Sequence, residues 1–66
     1  MDIYVGQIRL WNDQVAGLFL FRNQHFIVTD ILDIDESEKI VYYYYLKDKL
    51  SSFDNLTFMN KHSGVI

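Results

Sequence analysis

Four consecutive tyrosines, Tyr42, Tyr43, Tyr44 and Tyr45, set between Ile40, Val41 and Leu46, limit what this chain can fold into more than anything else in it. β-branched and aromatic residues at this density favour a strand. On a strand successive side chains point to opposite faces, so two of the tyrosines must oppose the other two. One register turns Ile40, Tyr42, Tyr44 and Leu46 to the core and leaves Val41, Tyr43 and Tyr45 as an outward apolar stripe of the kind that marks an interface. The opposite register exposes Tyr42 and Tyr44, and a third arrangement covers both faces inside a small barrel. We adopt the first as the expectation, which makes Tyr43 and Tyr45 candidate binding residues. Tyrosine suits that role because it buries a large rigid area and still offers a hydroxyl.

The segments on either side repeat the β texture. Residues 7–11 read as a first strand ending in Trp11, with Gly6 marking a bulge or a close backbone approach. Asn12, Asp13 and Gln14 read as a turn, and Val15, Ala16 and Gly17 lead into the aromatic run 18–21. A hairpin turn at Asn23 and Gln24 follows, with Asn able to take the positive φ of a tight turn, and leads into a strand over 25–34. There the alternation places Phe26, Val28, Leu32 and Ile34 on one side, with Asp30 breaking the set and suggesting a bulge. Residues 35–38 turn the chain into the tyrosine strand, 39–46.

After Lys47 the apolar spacing lengthens. Leu50, Phe53, Leu56 and Phe58 or Met59 recur every three or four residues behind Ser51 and Ser52, with Asp54 where a helix dipole favours negative charge. This predicts one short C-terminal helix or 3₁₀ turn plugging an open end of the sheet, and a tail from His62 that adds a last short strand or stays mobile. With 66 residues, half of them apolar, the chain holds one core and so one domain, 1–66. Closely spaced strands with short polar turns indicate a mainly β fold, a small SH3-like, partly open barrel of about five strands.

The order Gly6-Gln7-Ile8 with Trp11, then Phe26-Ile27-Val28-Thr29-Asp30, then Val41 to Leu46, then Ser52-Phe53, resembles small SH3-like accessory proteins of low-GC Gram-positive bacteria and their phages. The resemblance implies the fold. It also implies a phage or prophage accessory protein that binds and inhibits a host protein, such as a defence or nucleic-acid enzyme. The tyrosine run departs from the pattern, which alternates aromatic with polar residues at that point.

Composition narrows the chemistry. A net charge of −3 argues against a general nucleic-acid binder, because Lys and Arg supply most non-specific phosphate affinity. Stacking of bases on exposed tyrosines, as small barrels can do, is kept as an alternative. The chain has no cysteine, so disulfides and thiolate metal sites are excluded. With no long apolar run and no basic leader at the N-terminus, a cytoplasmic protein is expected, in the host cytoplasm if phage-encoded, with no membrane contact.

Asp30, Asp33, Asp35, Glu36 and Glu38 crowd one stretch that contains no Lys or Arg. Asp33, Asp35, Glu36 and Glu38 are therefore added to the candidate binding residues, as a charged surface for a basic partner. A calcium loop would need a glycine that is missing here, so no metal and no cofactor is expected. His25 and His62 are the only candidates for acid or base work near neutral pH, and neither belongs to a defensible catalytic pair. The expectation is a non-enzymatic protein-binding module. Its partner would be a host protein, or a second copy if the tyrosine strand mediates a homodimer or a self-associating structural role. Trp11 is expected in the core.

Overall fold

The structure, a computed structural model, describes residues 3–12 and 23–66. It is mainly β, as the sequence indicates: five antiparallel strands form one unclosed sheet, joined by one short helix. The strands are β1 (Ile8–Trp11), β2 (His25–Asp33), β3 (Lys39–Tyr45), β4 (Leu50–Asn55) and β5 (Ser63–Val65), with α1 (Leu56–His62) between the last two. In space they run β4-β3-β2-β1-β5, so the chain meanders outward to β4 and crosses back through α1 to the far side of β1.

Gly6 adopts φ +94°, and an added Cβ there would meet nothing within 4 Å. Glycine is thus required by backbone conformation and not by a close approach. The turn lets the Gly6 N–H reach Val28 O at 2.8 Å and Gln7 O accept from Val28 N–H at 2.9 Å. Those two bonds extend the β1–β2 pairing beyond the strand itself. Asn23 takes the positive φ expected of it, 67°. The other half of that hairpin, the run 18–21, and the turn at Asp13 and Gln14 lie outside the described residues.

Two elements differ from the expectation. The first is parity on β2. The β2–β3 register shifts between Val28 and Asp30, a bulge where Asp30 suggests one. The extra residue flips every later side chain to the other face. Ile31 therefore packs against the core, while Leu32 and Ile34, expected on the same side as Phe26 and Val28, are exposed.

The second is the helix start. Leu50 and Phe53, read as helical, belong to strand β4, which pairs with β3 without interruption from Tyr45↔Leu50 to Ile40↔Asn55. The intervening turn is closed by Lys49 N–H donating to Tyr45 O at 2.8 Å with Lys49 at φ 61°. Neither serine caps the helix. Asn55 does, its side-chain oxygen accepting from Thr57 N–H at 2.8 Å. Asp54 lies on the strand and not in the first helical turn, while Lys61 and His62 in the last turn complement the dipole. The tail forms β5, the last short strand the sequence allowed.

The core is unusually aromatic. Trp11, Phe26, Val28, Val41, Tyr43, Tyr45 and Met59 are buried, with Phe58 and Leu56 from the helix and Ile31 packed against them. Trp11 is a core residue, as expected. It stacks at 4.9 Å on Phe26 and meets Tyr43 and Phe58 edge-on at 5.8 Å each. Such tilted and edge contacts suit the ring quadrupoles.

Candidate functional site

The tyrosine strand adopts the register opposite to the expected one. Tyr43 and Tyr45 are 0% and 2% exposed and lie in the core, whereas Tyr42 is 37% exposed. The physical reason is what each face meets. Phe26 and Val28 on β2 sit opposite Tyr45 and Tyr43, so those tyrosines close over the apolar surface to which β1 and α1 also contribute.

Burial of two phenols is compatible with folding only if their hydroxyls are partnered. Trp11 Nε1–H donates to the Tyr45 hydroxyl at 2.8 Å, and the Tyr43 hydroxyl donates to Asp54 Oδ2 at 2.5 Å. Burial pushes the pKa of both phenols up, and for Tyr43 the bond to Asp54 adds to it. These two tyrosines therefore bind the protein to itself.

A second buried polar group escaped the sequence reading. On β1 the inward positions are Gln7, Arg9 and Trp11, so the apolar Ile8 and Leu10 point the other way. Arg9 is only 3% exposed. Its Nε donates to Ser63 Oγ at 2.8 Å, Nη1 to Gln7 Oε1 at 2.8 Å and Nη2 to Ser63 O at 2.9 Å, and burial lowers its pKa. Ser63 Oγ in turn donates to Met59 O at 2.5 Å. The planar guanidinium thus ties β1, the end of α1 and β5 together through a fork that no other side chain offers. The signal was present as strict period two from Gln7 to Trp11, masked by the hydrophobicity of the alternate positions.

The outward face is where the unpaired aromatic surface lies. Cross-strand partners share a face, so Tyr42 joins Phe53 and Asp30, Tyr44 joins Ser51 and Ile27, Ile40 joins Leu32 and Asn55, and Ile27 joins Ile8. Tyr42 and Phe53, the latter 60% exposed, touch each other with ring centroids 5.5 Å apart. Ile8, Leu32, Tyr42 and Phe53 are exposed while Ile27, Ile40 and Tyr44 are half-buried, making an apolar band across four strands.

The acidic turn stands at one end of this band. Asp33 is paired with Lys39, Nζ to Oδ1 at 2.5 Å. Asp35 Oδ1 accepts from the Ser37 N–H at 2.8 Å and from its hydroxyl at 2.9 Å, and those bonds hold its pKa below the ordinary carboxylate value. Both carboxylates thus shape the turn. Glu38 accepts from Asn55 Nδ2 at 3.3 Å, and Glu36 is exposed beside it. Among the described residues, no three His, Asp or Glu side chains are gathered closely enough to hold a metal ion. His25 is exposed at the start of β2, and His62 is half-buried against Phe58 with ring centroids 4.7 Å apart.

Among the described residues no helix is long and apolar enough to cross a membrane. In comparisons with known proteins, the chain matches no family model, no curated protein and no solved structure.

Proposed function

We propose that this protein acts by binding another protein, without catalysis, through the outward face of its sheet. The observation that carries the reading is the apolar band centred on Tyr42 and Tyr44, where a sheet facing water would carry polar residues. Aromatic side chains at the centre of such a band are the usual energetic anchors of an interface. The acidic turn at Asp33, Asp35, Glu36 and Glu38 borders it and favours a partner whose facing surface is apolar with a basic rim. On the resemblance to phage accessory proteins, that partner is a host protein in the host cytoplasm, inhibited by being covered.

The test is a double variant, Tyr42→Ser with Tyr44→Ser, checked for retention of the fold by circular dichroism. Immobilised wild-type domain should retain a protein from a low-GC Gram-positive lysate that free domain displaces and that the folded double variant fails to retain. If every protein retained by the wild type is retained equally by the folded variant, the face is not the contact surface.

A further inference from the structure

Among the described residues, strand β4 is a sheet edge with no strand paired to its outer side. Sheet edges expose unpaired backbone N–H and C=O groups, and proteins normally blunt them with lysine, proline, bulges or a covering segment. β4 has the sequence Leu-Ser-Ser-Phe-Asp-Asn and ends the strand order, and its pairing with β3 contains no bulge. Its single charged residue, Asp54, is turned inward to accept the Tyr43 hydroxyl. Among the described residues nothing lies along its outer side. The opposite edge, β5, is only three residues long.

The ends of β4 carry opposite charge. The β3–β4 turn holds Lys47, Asp48 and Lys49, and the β2–β3 turn at the other end of the same strands holds Asp35, Glu36 and Glu38, all exposed. Two copies related by a two-fold axis pair antiparallel, which sets the basic turn of each beside the acidic turn of the other. Parallel pairing would instead oppose like turns. The geometry points to a second copy of this chain as the occupant of the edge: we infer that the protein forms a symmetric dimer through β4, centred on Phe53, with the two sheets joined into one.

Side-chain alternation is satisfied with any β4 residue on the axis, and Phe53 is placed there because its exposed ring is then buried. Opposed residues in a continuous sheet must share a face, so an outward residue faces an outward residue across the axis. Phe53 then meets its own mate, Ser51 faces Asn55, and Ser52 faces Asp54. The pairing removes the exposed Phe53 ring from water and extends the Tyr42–Phe53 contact into a four-ring row. The two charged turns lie about three strand spacings apart, on the order of 14 Å, beyond one screening length at physiological salt but well within one at low salt. A contact of one strand on each side falls below the roughly 1,200 Å² at which stable interfaces begin. Monomer and dimer therefore exchange at micromolar concentration. This inference rests on the edge strand and stands whether or not the outward face binds another protein.

The experiment is a charge swap read by sedimentation velocity over a concentration series, with amide hydrogen exchange of β4 as a second readout. Lys47→Glu with Lys49→Glu gives a chain with two acidic turns, and Glu36→Lys with Glu38→Lys gives one with two basic turns. The wild type should dimerise as concentration rises and its β4 amides should become protected. Each variant alone should weaken the dimer at least tenfold at low salt, and the equimolar mixture should restore it. A wild type that stays monomeric to millimolar concentration overturns the inference. So does a dimer that is insensitive to both swaps and leaves β4 amides unprotected, which would place the contact on the outward face, and so does a β4 edge that gains protection only from added lysate protein.

Discussion

Tyr42 and Tyr43 are adjacent and chemically identical, yet truncating them should have very different consequences. Tyr43 is completely buried, packed at 4.7 Å on Phe26 and edge-on to Trp11 and Tyr45, and hydrogen-bonded to Asp54. Cutting a buried large aromatic to alanine costs about 3–5 kcal/mol. A domain of 66 residues has, at roughly 0.05–0.15 kcal/mol per residue, about 3–10 kcal/mol in total. Tyr43→Ala should therefore remove from about a third to all of the stability. Tyr42 loses its contact with Phe53 and a strand-favouring side chain on a face open to water, a cost of about 1 kcal/mol. Urea unfolding followed by tryptophan fluorescence separates the two, since Trp11 lies in the core. With a urea slope of about 1 kcal/mol per molar for so small a chain, the midpoints should differ by about 2–4 M. A Tyr42→Ala midpoint as low as that of Tyr43→Ala would show that the register described here is wrong and that the outward tyrosines are the structural pair.

Two further outcomes follow from the buried polar groups. Because burial raises the pKa of Tyr43 and Tyr45 above the ordinary value of 10.0, the unfolded chain ionises first. The stability these phenols contribute is complete below about pH 10 and is lost as the pH rises above it, at up to about 1.4 kcal/mol per pH unit for each. Urea midpoints that stay constant as the pH is raised well above 10 would contradict this. Arg9→Lys keeps the charge but replaces a three-bond fork by a point donor. At about 1 kcal/mol net per bond, it should cost about 2 kcal/mol and speed amide exchange across β5, and a lysine variant with wild-type stability and exchange would show that the fork does not hold the strand.

Much of the fold was legible because its strands carry dense β-branched and aromatic runs. β2 and β3 lie within a residue of where the pattern puts them, and Trp11 is in the core. The helix start was not legible, since Leu50, Phe53 and Leu56 satisfy a helical spacing that local sequence cannot distinguish from a strand followed by a helix. What decides is non-local. A four-residue turn after Tyr45 sets Leu50 against it, and pairing with β3 then captures the segment as far as Asn55, the first residue able to cap a helix beyond the strand.

The tyrosine register illustrates the same limit more sharply. Hydrophobicity alone does not separate Val41, Tyr43 and Tyr45 from Ile40, Tyr42, Tyr44 and Leu46, because each set has a mixture of aliphatic and phenolic side chains. Partner chemistry does separate them. The inward set must find acceptors or donors for its hydroxyls, and the chain provides them at inward positions of other strands: the Trp11 indole on β1 and the Asp54 carboxylate on β4. The outward set needs none, since water serves. On this argument the sequence contained the answer, as Trp11 at the end of a strand and Asp54 two residues from Ser52, but only once β4 was recognised as the neighbour of β3. The same reassignment moves the binding hypothesis from Tyr43 and Tyr45 to Tyr42 and Tyr44, and makes β4 the edge from which a second copy can extend the sheet.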